Sequence, residues 1–281
     1  MTTGPITSTA NPRVRAVLRL RDRRARDRAG LTLLDGPREI RLALRAGVVL
    51  REGFVAPRAD GQLVAELGAA GVPLVAVSET VGARIGYGER DSGVVVVAST
   101  PSTALEHLDP PTPALIVVAE AIEKPGNLGA ILRSADAAGA DAVIAADART
   151  DPFNPNTIRA SLGSIFAVPL AAAPGAAVLA WLRERSIRAI AARVDAALAY
   201  TQADLTGGIA LVVGTEDAGL SDTWHGPDVL AVRLPMRGTV DSLNVSVATA
   251  VLLFEARRQR ALTEETNAGE GPGPGPFAPS P

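Results

Sequence analysis

Few folds accommodate the stretch from Val229 to Arg260. A β-branched and apolar run, Val229 to Leu234, stops at Pro235, and a loop containing Gly238 follows. Ser242-Leu243-Asn244-Val245-Ser246 then opens a long apolar helix that reaches about Arg260. Proline cannot donate to a strand ladder, so the strand ends where the loop begins. A strand that ends in a Gly/Pro loop and feeds a helix start is where α/β proteins place ligands, because unpaired backbone amides converge there. Ser242 and Asn244 at such a start can cap the helix or reach a ligand.

The rest of the chain extends this pattern into two units. Residues 1–10 are rich in Thr, Ser, Pro and Gly and read as a flexible start. Residues 11–100 read as a basic helix over 12–29 followed by a βαβαβ series, which fits a small α/β/α domain. Its strands fall at 31–34, 51–55, 72–77 and 93–98, with Ser78 capping a short helix. Prolines concentrate in 101–113, which marks a linker. Over 114–262 apolar strands at 115–119, 142–145, 166–170, 187–192, 209–213 and 229–234 alternate with helices, the last spanning 242–260. Strands without polar alternation argue for a parallel sheet covered on both faces. The fold class is therefore α/β. Residues 263–281 turn polar and then Gly-Pro repetitive, and read as a disordered tail.

Composition excludes several chemistries. The chain of 281 residues has no cysteine, so disulfides, thiolate metal sites and cysteine nucleophiles are ruled out. No His/Asp/Glu cluster has metal-ligand spacing, and no metal is expected. His107 and His225 stand apart and read as surface residues. No apolar run approaches the ~18 residues of a membrane span. The polar N-terminus lacks a signal-peptide core, and a cytoplasmic setting is expected. The net charge of −2 says little, but eight arginines against two aspartates lie between Arg13 and Arg28. Lys124 is the only lysine. Arginine presents a planar fork to phosphate and stacks on bases, so the cluster suits RNA as well as a plain solvated face.

Two further stretches carry chemistry. Pro125-Gly126-Asn127-Leu128-Gly129-Ala130-Ile131-Leu132-Arg133 is an Asn-x-Gly loop entering a helix, with Arg133 six residues after Asn127. Leu211-Val212-Val213-Gly214-Thr215-Glu216 is a strand ending in Gly-x-Glu. Together with Leu234 to Ala248, these segments resemble, in order and spacing, the three motifs of the SpoU (TrmH-type) RNA ribose 2′-O-methyltransferases of the SPOUT superfamily. Leu34-Asp35-Gly36-Pro37-Arg38-Glu39 and Asn11-Pro12-Arg13 are similar to the N-terminal substrate-binding domain of many such enzymes. No G-x-G-x-x-G follows a strand, and Gly214 to Gly219 has no Lys-Ser/Thr after it, so Rossmann and Walker A readings fail.

The resemblance implies a deep trefoil knot in the C-terminal domain, an exception to the usual topology rules. It also implies S-adenosylmethionine as cofactor, RNA as substrate, and a homodimer with the last helix, Leu252 to Phe254 included, in its interface. Ribosomal RNA, 23S in particular, is expected before transfer RNA; a non-catalytic RNA-binding or ribosome-assembly protein on the same fold is the rival. The cofactor positions would be Ala192, Gly214, Leu234, Pro235, Met236 and Leu243. The catalytic set would be Arg133, Asn127, Glu216, Ser242 and Asn244, with Arg133 acting as base or as phosphate anchor and the two asparagines orienting it. Glu216 is as readily a structural residue, Ser242 a helix cap, and Gly214 a simple turn. Arg13, Arg15, Arg19, Arg38 and Arg159 are expected to meet RNA. Lys124-Pro125-Gly126 departs from the Asp-Pro-x frequent before the Asn, which leaves target choice open. Because every cofactor motif lies after residue 112, removing residues 1–105 is expected to leave a folded, cofactor-binding unit.

Overall fold

A computed structural model describes residues 4–86, 92–215 and 219–269, with side chains in the last helix described to residue 265. The first unit holds helices α1 (Pro12–Arg19) and α2 (Arg23–Ala29), strand β1 (Leu31–Leu34), α3 (Pro37–Arg45), β2 (Leu50–Val55), α4 (Gly61–Ala69), β3 (Leu74–Ala76), α5 (Glu79–Ile85) and β4 (Val94–Ser99). Its sheet has the order β1-β4-β2-β3, antiparallel except for the β2–β3 pair. The single basic helix expected over 12–29 is two helices. The Asp22 carboxylate accepts the Ala25 amide at 3.1 Å and starts a new helix, an N-cap that competes with continuing the old one.

The second unit runs β5 (Leu115–Glu120), α6 (Pro125–Ala138), β6 (Ala142–Ala146), α7 (Pro155–Ala160), β7 (Leu170–Ala173), α8 (Gly175–Glu184), β8 (Arg188–Ala192), β9 (Leu198–Ala199), β10 (Ile209–Val213), β11 (Val229–Arg233) and α9 (Val245–Gly269). Its seven strands lie in the order β7-β6-β5-β10-β8-β11-β9, and every pairing is parallel. β5, β6 and β10 are buried along their whole length, which explains their uninterrupted apolar sequence. The strand expected over 166–170 starts at Leu170. Leu162 and Gly163 have φ of 52° and 84°, which turns the chain into a 3-10 segment, Ser164–Phe166, and Pro169 offers no ladder donor. The last helix continues beyond residue 263 to Gly269, where the sequence suggested the tail had begun. Among the described residues no helix is long and apolar enough to cross a membrane.

The two units share a dense seam. Arg26, 3% exposed, donates from Nε and Nη2 to the Asp151 carboxylate at 2.9 and 2.7 Å. Its Nη1 donates to the carbonyls of Leu20 and Arg21. The buried Thr32 hydroxyl donates to the Phe153 carbonyl at 2.7 Å, and Arg159 pairs with Asp35. The linker is fastened as well: Thr100 donates to Gly30 and Ala172 donates to Thr103. Removing residues 1–105 would strip Asp151 of its guanidinium and bare Phe153 and Ile165, so the seam argues against a freely separable second unit.

Candidate active site

β10, β8 and β11 are neighbours, and their register pairs Val212 with Ala191 and Val232 with Ala192. Ala192, Gly214 and Leu234 therefore stand along one carboxyl edge of the sheet, each half-buried. The carboxyl edge of a parallel sheet is where α/β folds place ligands. Met236 and Leu243 are half-buried, Pro235 is exposed, and Leu234 packs against the core.

Gly214 has a steric reason. Thr215 and Gly219 exchange both backbone hydrogen bonds, at 3.2 and 3.1 Å. A Cβ on Gly214 would run into the Gly219 carbonyl. The loop then returns to Ser221, whose amide and hydroxyl donate to Glu120 at 2.8 and 2.6 Å, while Trp224 Nε1 donates to the same carboxylate at 2.9 Å. Glu120 is 2% exposed and holds the loop after β10 to the end of β5. Sequence reasoning missed it; the available signal was a lone carboxylate closing an apolar strand. Glu216 lies outside the described residues.

The second part of the site sits on α6. Pro125 begins the helix where no amide donor is needed, and Gly139 ends it at φ 64°. A Cβ on Gly129 would lie 2.8 Å from the Ala160 carbonyl carbon, so the glycine of the Asn-x-Gly motif lets α7 approach α6. Asn244 Nδ2 donates to Asn127 Oδ1 at 3.2 Å. Asn244 Oδ1 also accepts the Ser246 amide at 3.0 Å and the Ser246 hydroxyl at 2.6 Å. Asn244 is thus the cap of α9, which starts at Val245 and not at residue 242. Ser242 is exposed, ahead of the helix, and the capping role does not fall to it.

Arg133 is exposed and no hydrogen bond joins it to Asn127 or Asn244; the two asparagines bind each other instead. Arg133 lines a cleft of about 410 Å³ with Arg38, Ser134, Asp136, Ser161 and Phe254. It does not meet Ala192, Gly214 or Leu234 there. A second cleft, of about 450 Å³, opens between α2, the linker and the ends of β6 and β7.

The other arginines divide. Arg15 and Arg19 are exposed on α1 and make no ion pair with a described residue. Arg13 pairs with Glu52. Arg21 donates to the carbonyls of Arg84 and Gly86 at 2.9 and 2.7 Å. Arg26 belongs to the seam, as does Arg159, which the sequence assigned to RNA. The cluster of eight is partly structural.

The family described as the SpoU rRNA Methylase family matches residues 114–254, and the MRM3-like substrate binding domain matches residues 11–96. A 23S rRNA (guanosine-2′-O-)-methyltransferase RlmB of Pseudomonas putida is 41% identical over 150 residues, which covers 53% of this chain and 60% of that protein. A crystal structure of an RNA 2′-O ribose methyltransferase is 41% identical with a TM-score of 0.81, covering 92% of this chain and all of that one. The SpoU methyltransferase AviRb of Streptomyces viridochromogenes, solved with the cofactor AdoMet, is 31% identical with a TM-score of 0.83; the match covers 89% of this chain and 98% of that one.

Proposed function

The chain belongs to the SpoU rRNA methylase family, and on that premise we propose that it transfers the methyl group of S-adenosylmethionine to a ribose 2′-hydroxyl of 23S ribosomal RNA. The observation that carries the reading is the alignment of Ala192, Gly214 and Leu234 on one sheet edge, beside a loop end tied to α6 through Asn244 and Asn127.

The residues at that edge fit the cofactor. Leu234, Met236 and Leu243 supply apolar walls for an adenine ring, and Gly214 keeps the loop close. When bound, S-adenosylmethionine supplies an electrophilic methyl carbon. The chain's own residues must then present the ribose and dispose of the hydroxyl proton. A guanidinium is a poor base, since it keeps its proton far above neutral pH. We therefore assign Arg133 to the neighbouring phosphate, where its charge favours the alkoxide as the hydroxyl gives its proton to solvent and its oxygen takes the methyl group. Asn127, Ser242 and Asn244 orient the nucleotide, and Glu216 completes the set. Arg15 and Arg19 add RNA affinity from α1.

A homodimer through α9 goes with this reading, with a correction to its contact residues. Leu252 and Leu253 are fully buried inside the protomer, whereas Val247 and Phe254 are 48% and 54% exposed and remain for a second copy. A trefoil knot, a cytoplasmic setting and the lack of a metal requirement belong to the same proposal. Arg133→Ala tests it. Methyl transfer to ribosomal RNA is expected to fall at least a thousandfold while calorimetry finds S-adenosylmethionine binding unchanged. Single-turnover transfer within a few-fold of the unsubstituted protein would remove Arg133 from the mechanism.

A further inference from the structure

The cleft that holds Arg133 has a second cationic wall, and it comes from the first unit. Arg38 is the second residue of α3, and its position is fixed from three sides. Asp35, just before the helix, pairs with Arg159 of α7. Its carbonyl accepts the Ser92 hydroxyl at 2.6 Å. One turn later α3 packs against the left-handed turn at Gly163, where a Cβ would lie 2.7 Å from Leu42 and 3.1 Å from the Glu39 Cα. The floor of the cleft is rigid too. Ser161 Oγ donates to Ile158, Ser164 Oγ donates to Ser161, and both serines are buried and satisfied locally.

Arg38 and Arg133 therefore face one space from two separate helices on fixed supports. Neither makes an ion pair with a described residue, although Arg26, Arg41, Arg149 and Arg159 all do. The cleft's one carboxylate, Asp136, pairs with neither. Two guanidinium forks converging on one space suit a phosphodiester, which each can hold through two parallel hydrogen bonds. Two forks from different directions fix its orientation as well as its position.

We propose that Arg38 and Arg133 form a two-arginine seat for a single RNA phosphate, which makes Arg38 a positioning residue for methyl transfer and the first unit a wall of the reaction site. The seat explains the Asp35-Gly36-Pro37-Arg38 segment: Asp35 anchors it to α7, Pro37 starts the helix, and Arg38 is delivered to the cleft. It differs in kind from Arg15 and Arg19, which add affinity at a distance. The proposal rests on the assignment of the chain as an RNA ribose methyltransferase.

The test is Arg38→Ala in the full-length protein, assayed by single-turnover methylation of 23S ribosomal RNA at saturating RNA. The rate is expected to fall 10- to 100-fold, the scale for a misplaced reactant, with S-adenosylmethionine binding and thermal midpoint unchanged. Arg38→Lys should recover part of that loss, because it keeps the charge without the fork. If either measurement of integrity changes in Arg38→Ala, Arg38→Gln is judged by the same rate. A rate at saturation within threefold of the unsubstituted protein overturns the seat, even if the RNA concentration needed for saturation rises. Failure of the unsubstituted protein to methylate any RNA would instead overturn the assignment of function.

Discussion

Along the edge of β10, β8 and β11 the outward groups are backbone amides and carbonyls beside Gly214, Leu234 and Pro235. In the seam between α2, α3 and α7 they are charged side chains in pairs, Arg26 with Asp151 and Arg159 with Asp35. The first region needs a particular chain path, which at Gly214 leaves no room for a side chain. The second needs particular side chains and fails when one partner is lost. The edge proposed for the cofactor keeps its shape through Gly214 and Pro235. The placement of one unit on the other rests on charges that meet across the seam, and removing one of them leaves the other without its counter-ion. The cleft proposed for the RNA phosphate lies on the seam side, with Arg133 on α6 and Arg38 across from it on α3.

If that contrast is right, the largest loss of stability comes from the seam. Arg26→Ala leaves Asp151 without its guanidinium and is expected to cost about 3 kcal/mol, read from urea unfolding. Arg28→Ala, on the exposed face of the same helix, should cost less than about 0.5 kcal/mol. Equal losses would mean that the pair does not hold the units together. The next effect is at the edge. Gly214→Ala drives a methyl into the Gly219 carbonyl, with an expected loss of about 1–3 kcal/mol. S-adenosylmethionine affinity should drop more than tenfold by calorimetry, and an unchanged affinity would take Gly214 out of the cofactor site. The smallest effect belongs to α1. Arg15→Ala and Arg19→Ala should leave stability unchanged and lower the slope of log affinity for RNA against log salt by about 0.7 to 0.9 each. A slope that does not move makes them solvated residues.

The same contrast governs what could be read in advance. Pro235, Gly139 and the apolar runs of β5, β6 and β10 act locally, so six of the second unit's seven strands were legible from sequence with boundary shifts of a few residues, whereas the two-residue β9 is too short to leave an apolar run. The sequence singles out Asn127 and Asn244 as candidates, but not their hydrogen bond to each other, because it joins positions 117 apart in the chain. Arg26 looked like one of eight solvated arginines; only the tertiary approach of Asp151 makes it structural. Arg159 looked like a phosphate ligand and has Asp35 as its partner. Glu120 looked like the polar end of a strand, and its three donors come from a loop a hundred residues away. The break in the basic helix at Asp22 was a local signal that the arginine pattern obscured.

The central claim is methyl transfer to a ribose of 23S ribosomal RNA. Purified protein should be incubated with unmethylated ribosomal RNA and S-adenosylmethionine carrying a labelled methyl group, and the product mapped by resistance of 2′-O-methylated positions to alkaline cleavage. The account predicts label on 23S RNA at one ribose, stoichiometric with S-adenosylhomocysteine formed, and none with Arg133→Ala. Label on transfer RNA alone, label on a base, or binding of RNA with no transfer would contradict it.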